Sequence, residues 1–240
     1  MPAVDEDTSP PPPQNPMDTA FLTNIPGTTT VVLVRHGEQV HGDRGDTRSW
    51  VDPPLSERGR RQAEAVGAGL REEGIDAVYA SPLERALETG KAIAGHHGHE
   101  VTVVDDLREI EMFRDLPEGT TLFDAIDPLL LRGMGARFTR ERNWDVYPMT
   151  ETGDELRRRV VGAVEGIIAG HAGQTVVIAC HGGVINAYAG YVLGKTDEDM
   201  WFRPNHASVH RFVAHGDRRV VRSLNEVHHL RSVDEELVSW

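Results

Sequence analysis

The chain has 240 residues, 39% of them hydrophobic, enough for one α/β domain with a substantial core or at most two small ones. Its 38 acidic and 25 basic residues leave a formal net charge of −13, which argues against a nucleic-acid footprint and against adhesion to an anionic membrane. The single cysteine, Cys180, excludes an internal disulfide framework and any multi-cysteine zinc site.

Residues 1–28 join acidic residues to a proline run, "TSPPPPQNP", and are expected to form a disordered or polyproline-II tail. They lack the basic-then-apolar pattern of a signal peptide, and no apolar stretch in the chain has the length of a membrane span. The expectation is a soluble, cytoplasmic protein. Val31 to Val34 then predict a strand buried on both faces. It runs into Arg35, His36 and Gly37, two cationic or titratable side chains where a turn former is usual. After the loop at 38–54, "LSERGRRQAEAVGAGLREEG" predicts a helix capped by Ser56, with Ala63, Val66 and Leu70 facing inward and Gly74 closing it. "DAVYASP" reads as a short strand, and "SPLERALETGKAIAG" as a helix with Ser81 as N-cap and Pro82 at its first position. "EVTVVDDL" reads as a third strand.

Residues 113–148 carry helical patterns broken by Pro128, Gly133 and Gly135, and are expected to form a helical cap insertion. "TGDELRRRVVGAVEGIIAGH" predicts an amphipathic helix with Leu156, Val160, Val164, Ile167 and Ile168 on one stripe. "QTVVIACHGG" repeats the opening device, a buried strand ending in His181 and Gly182, with Cys180 as a buried structural thiol. A helix over "VINAYAGYVLG" and a hairpin turning at Gly216–Asp217 follow. The expected domain is 29–228, with a C-terminal tail at 229–240.

Alternating strands and helices imply a mostly parallel sheet covered on both faces, a three-layer α/β/α sandwich that binds ligands at the carboxyl ends of its strands. Arg35, His36, Arg85 and His181 all fall at that edge. Converging arginines repel unless an anion lies between them, and a helix beginning near Gly182 adds N–H donors. Phosphate fits best. Binding alone needs no histidine pair, so His36 is the candidate nucleophile, with Arg35, Arg85 and His181 cradling oxygens. Glu109 and Glu111 both lie just past the third strand and are candidates for the acid that protonates a leaving group. Taken singly, each histidine reads as a turn or core residue and each carboxylate as solvated; the repeated strand-then-His-Gly device, joined with Arg85, outweighs that reading. Trp50, Phe113, Phe123, Phe138 and Trp144 either line a substrate pocket or pack as lid core.

The "RHG" of residues 35–37 resembles the signature of the histidine phosphatase (phosphoglycerate mutase-like) superfamily. The resemblance extends through "PLSERGRRQAEAVG", "VYASPLERALETGKAIA", "LREI", "TGDELRRRV" and "VVIACHGGVI", from about residue 30 to 225. It implies a phosphoglycerate mutase-like fold, a phosphohistidine on His36 formed without metal or organic cofactor, a pocket of Arg35, Arg85 and His181, and the acid at Glu109. The chain departs from the family pattern in "EQVH" after the signature and in "MFRDLPEG" after the acid, which keeps Glu111 as a rival. The missing lysine- and arginine-bearing stretch of cofactor-dependent mutases favours hydrolysis. The expectation is a metal-independent phosphomonoesterase acting on a small-molecule phosphate ester, with a dimer possible and the substrate open. A mutase and a non-catalytic phospholigand-binding protein are the alternatives.

Overall fold

A computed structural model describes residues 15–40, 52–116, 120 and 122–240, apart from the side chain of Phe123. The proline run, His41, Trp50 and most of the 38–54 loop lie outside the described residues. In chain order the elements are α1 (Pro16–Phe21), β1 (Thr29–Arg35), α2 (Glu57–Leu70), β2 (Ala77–Ala80), α3 (Glu84–His97), β3 (Val101–Val103), α4 (Leu122–Ala125), α5 (Pro128–Glu141), α6 (Gly153–Gly170), β4 (Thr175–Cys180), α7 (Gly182–Leu193), β5 (Val209–His215), β6 (Arg218–Glu226) and α8 (His228–Arg231).

The strands form one six-stranded sheet in the order β3-β2-β4-β1-β5-β6. β1, β2, β3 and β4 run parallel, while β5 pairs antiparallel with β1 and β6 with β5. Successive side chains of β1 face opposite layers, as strand geometry requires. Val31 and Leu33 pack with Leu156, Val160 and Val164 of α6 and Tyr188 of α7. Val32 and Val34 pack with Val66 and Leu70 of α2 and Ile93 of α3. Each such side chain contributes about 1.5–3 kcal/mol by leaving water. The α6 stripe is buried as its spacing predicts, and a capping box between Thr152 and Glu155 starts that helix.

Three expectations are corrected. Part of the supposed N-terminal tail is ordered: Asn15 caps α1, Pro16 suits its first turn, and Leu22 is buried. The C-terminal segment 229–240 is no tail either, because Leu230 and Leu237 close the core on the α2 side. Ser81 is not the cap of α3, which begins at Glu84 behind Leu83. Its hydroxyl has another partner at the sheet edge.

The 113–148 segment holds α4, α5 and a short turn at Trp144–Val146. Phe138 packs on Trp144 and Tyr147, and Phe113 on Tyr147, so these rings contact one another. Among the described residues no helix is long and apolar enough to cross a membrane.

Candidate active site at the carboxyl edge of the sheet

Register assembles the site. Arg35 of β1 lies opposite Cys180 of β4, so the next residues, His36 and His181, emerge side by side with ring centroids 5.1 Å apart. Ala80 of β2 lies opposite Ala179, which brings Ser81 to His181, Oγ to Nε2 at 2.7 Å. Cys180 just below is fully buried, and burial pushes its thiol pKa up.

The loop after β1 sits flush on the start of α2. A Cβ on Gly37 would overlap the Gly59 carbonyl, and one on Gly59 would overlap the Glu38 carbonyl, so neither residue can carry a side chain here. The Gly37 N–H donates to Thr89 Oγ1 at 3.2 Å, and the Glu38 N–H to Gln62 Oε1 at 2.7 Å. This holds His36, whose Nδ1 lies 2.7 Å from the Gly37 carbonyl. A carbonyl only accepts, so Nδ1 carries the ring proton and Nε2 presents its lone pair. Arg85 Nε donates to that lone pair at 3.3 Å.

Burial holds the His36 imidazole neutral, its pKa well below the usual histidine value, and Arg85, His181 and Arg35 push the same way against the bond to Gly37. Burial likewise keeps His181 well below its usual range, with Arg85 and Arg35 adding to the effect. Burial lowers Arg35 to about 10; Glu109 opposes this, while Arg203 and Arg85 add to it. Arg85 is also lowered by burial, against the pull of Glu109 and Asp52. It stands in the first turn of α3, where the helix dipole disfavours a cation. A local rule broken at a buried position is characteristic of a functional site.

Glu109 reaches the same hollow from the segment after β3. Leu107 and Ile110 are buried anchors, and the carboxylate between them accepts the Gly183 N–H at 3.1 Å to each oxygen and the Ile110 N–H at 3.0 Å. The α7 amide next to Gly182, expected to be free for phosphate, is therefore engaged by Glu109. Gly182 lines the hollow: a Cβ there would lie 3.9 Å from Arg35 Nε, Glu109 Oε2 and Met200 Cε. Glu111 is directed elsewhere, pairing with Arg108 at 3.1 Å.

The structure thus brings Arg35, His36, Arg85, Glu109, His181 and Gly182 together. Arg35 Nε and His181 Nδ1 are buried there with no hydrogen-bond partner among the described residues. An unmet buried polar group costs about 1–3 kcal/mol, a cost an anion's oxygens remove. Sequence reading missed His206, whose ring centroid is 5.9 Å from that of His36 and whose Nδ1 is 3.0 Å from Ser239 Oγ. It lies in the irregular stretch "RPNHASV", which carries no motif or periodicity. Among the described residues no group of three His, Cys, Asp or Glu side chains is arranged to hold a metal ion.

A strand-end histidine pair flanked by buried arginines agrees with the resemblance drawn from the sequence, and the family model of the histidine phosphatase superfamily (branch 1) matches residues 31–227. The chain belongs to the histidine phosphatase superfamily. Within that superfamily, the metal-independent phosphoserine phosphatase of Arabidopsis thaliana is 31% identical over 211 residues, covering 85% of this chain and 84% of the relative. The solved structure of Bacillus stearothermophilus YhfR aligns with a TM-score of 0.68 and 26% identity, over 84% of this chain and 99% of that one. A phosphoglycerate mutase from Bacillus anthracis shares the fold alone, with a TM-score of 0.69 at 19% identity over 88% of this chain and 98% of its own.

Proposed function

We propose that this histidine phosphatase superfamily member is a metal-independent phosphomonoesterase that forms a phosphohistidine on His36. One observation carries the reading: a neutral imidazole, its proton committed to the Gly37 carbonyl, presents Nε2 to a hollow lined by Arg85, Arg35 and His181. The substrate's phosphoryl oxygens lie against the two guanidinium groups and the His181 ring. The His36 lone pair attacks phosphorus, the ester P–O bond breaks, and a proton from Glu109 goes to the departing oxygen. Water then attacks the phosphohistidine, its proton passes to the Glu109 carboxylate, and the N–P bond breaks to release phosphate. Glu109 rather than Glu111 takes this role because its carboxylate alone of the two reaches the hollow. The likeness to the Arabidopsis phosphoserine phosphatase makes L-phosphoserine the first ester to assay.

The test is acid-sensitive labelling. Quenching the enzyme during turnover of a radiolabelled ester should trap acid-labile, alkali-stable phosphate on the wild type and none on His36→Ala. Label that persists in His36→Ala overturns the assignment. Rapid isomerisation of 3-phosphoglycerate without phosphate release overturns hydrolysis in favour of mutase chemistry.

A further inference from the structure

Glu109 sits on a segment with little regular structure of its own, a single turn at Asp105–Leu107 followed by loop. An ionic pair from α6 and the residues before it grips that segment. Arg159 Nε donates to Glu151 Oε1 at 2.6 Å and its Nη2 to Oε2 at 2.7 Å. Nη1 donates to the carbonyls of Asp106 at 2.8 Å and Arg108 at 2.7 Å, and Nη2 to the carbonyl of Glu109 itself at 3.1 Å. Arginine has five N–H donors, and all are used. Glu151 completes the grip from the other side. Its Oε2 accepts the Glu111 N–H at 3.2 Å, and its own N–H donates to the Glu111 carbonyl at 3.0 Å. The pair is well shielded, with side-chain exposures of 12% for Arg159 and 3% for Glu151.

We infer that Arg159 and Glu151 are positioning residues for Glu109, an inference that rests on the acid role proposed above. Neither touches the hollow where the phosphoryl group sits. They set the height and direction of the backbone from which the Glu109 carboxylate reaches the leaving oxygen. Lysine cannot replace Arg159, since it has three donors in no fixed plane and cannot hold Glu151 and three carbonyls together. A proton donor displaced by about 1 Å loses roughly a hundredfold in rate. That loss falls only on substrates whose leaving group needs the proton.

The experiment compares kcat/KM for L-phosphoserine, which leaves as an alkoxide, and p-nitrophenyl phosphate, whose phenolate leaves without a proton. This constant ends at the departure of the leaving group, so breakdown of the phosphohistidine does not enter it. The proteins are wild type, Arg159→Lys, Glu151→Gln, Glu109→Gln and the double variant Glu109→Gln/Arg159→Lys, each checked for native circular dichroism. Arg159→Lys and Glu151→Gln should lose roughly 10–100-fold on the alkyl ester and less than about threefold on the aryl ester. Glu109→Gln should show the same selectivity more strongly, and the double variant should be no slower than Glu109→Gln, because coupled residues are non-additive. Equal losses on both esters in Arg159→Lys and Glu151→Gln, beside a selective Glu109→Gln, overturn the positioning role and leave the acid role standing. A Glu109→Gln enzyme with no ester selectivity removes the acid role and the positioning role with it.

Discussion

His181 Nε2 and Ser81 Oγ meet at 2.7 Å across the carboxyl ends of β4 and β2. The same hydroxyl accepts the Leu83 N–H at 3.2 Å and still has its own proton to give. A hydroxyl that donates to Nε2 leaves the ring proton on Nδ1, which is buried with no hydrogen-bond partner among the described residues. We predict that Ser81 donates in this way and so selects the tautomer in which His181 gives its Nδ1 proton to an anion. Ser81→Ala should lower kcat/KM for phosphate esters about tenfold, short of the 10²–10³ lost with a donor outright. Steady-state kinetics on a folded variant decide it; an unchanged rate removes Ser81 from the site.

Anions should stabilise the fold. Inorganic phosphate or vanadate at ~100 times its Kd adds about 2.7 kcal/mol. For a domain of this size that raises Tm by roughly 5–10 °C. Arg85→Ala should abolish most of that shift, since it removes one of the two guanidinium groups at the hollow. Thermal melts with and without phosphate provide the comparison, and an equal shift in the variant would place the anion elsewhere.

Gly183→Ala offers a way to move Glu109 without touching it. A Cβ at Gly183 would overlap Glu109 Oε1, the mobile end of a side chain, so the carboxylate is what gives way. Alanine favours a helix over glycine by about 1 kcal/mol, which protects α7. Hydrolysis of L-phosphoserine should fall at least roughly tenfold while Tm holds. A variant of full activity but lower Tm contradicts the placement of Glu109.

Four of the buried histidines, among the described residues, make the fold sensitive to acid. Burial lowers His36, His181 and His229, and it lowers His210 to about 3. Between the folded value and the unfolded value of about 6.5, the unfolded chain binds protons that the native state refuses. Stability is therefore complete above about pH 6.5 and falls as pH drops below it, by about 1.4 kcal/mol per histidine per pH unit. For His210 the fall continues toward pH 3. Urea melts from pH 8 to pH 5 should show a flat region followed by this decline; unchanged midpoints throughout would mean the rings are protonated in the native state.

The order of elements was readable because burial has a local period. The runs Val31 to Val34 and Val176 to Ala179 declare strands buried on both faces, and the α6 stripe declares its inner side. Apolar residues so arranged have few ways to leave water, so their pattern alone places Arg35, His36 and His181 at strand ends. The C-terminal segment escaped because Leu230 and Leu237 stand in a charged stretch without such a period. Ser81 was misread because a serine three residues before a helix suits a cap as well as it suits a partner for histidine.

By itself, then, the amino-acid order determined the layered sheet, the edge on which chemistry-bearing residues collect, and the phosphate-suited character of that set. Only the tertiary structure placed Glu109 rather than Glu111 at the hollow, took Ser81 from α3 to His181, and joined Arg159 to the backbone of Glu109. The reason is physical. Burial is a property of each residue's own surface and leaves a trace in its neighbours along the chain. A hydrogen bond between residues 50 or 100 positions apart, as in Arg159 to the Glu109 carbonyl or His181 to Ser81, depends on strand register and helix placement, which exist only once the chain has folded.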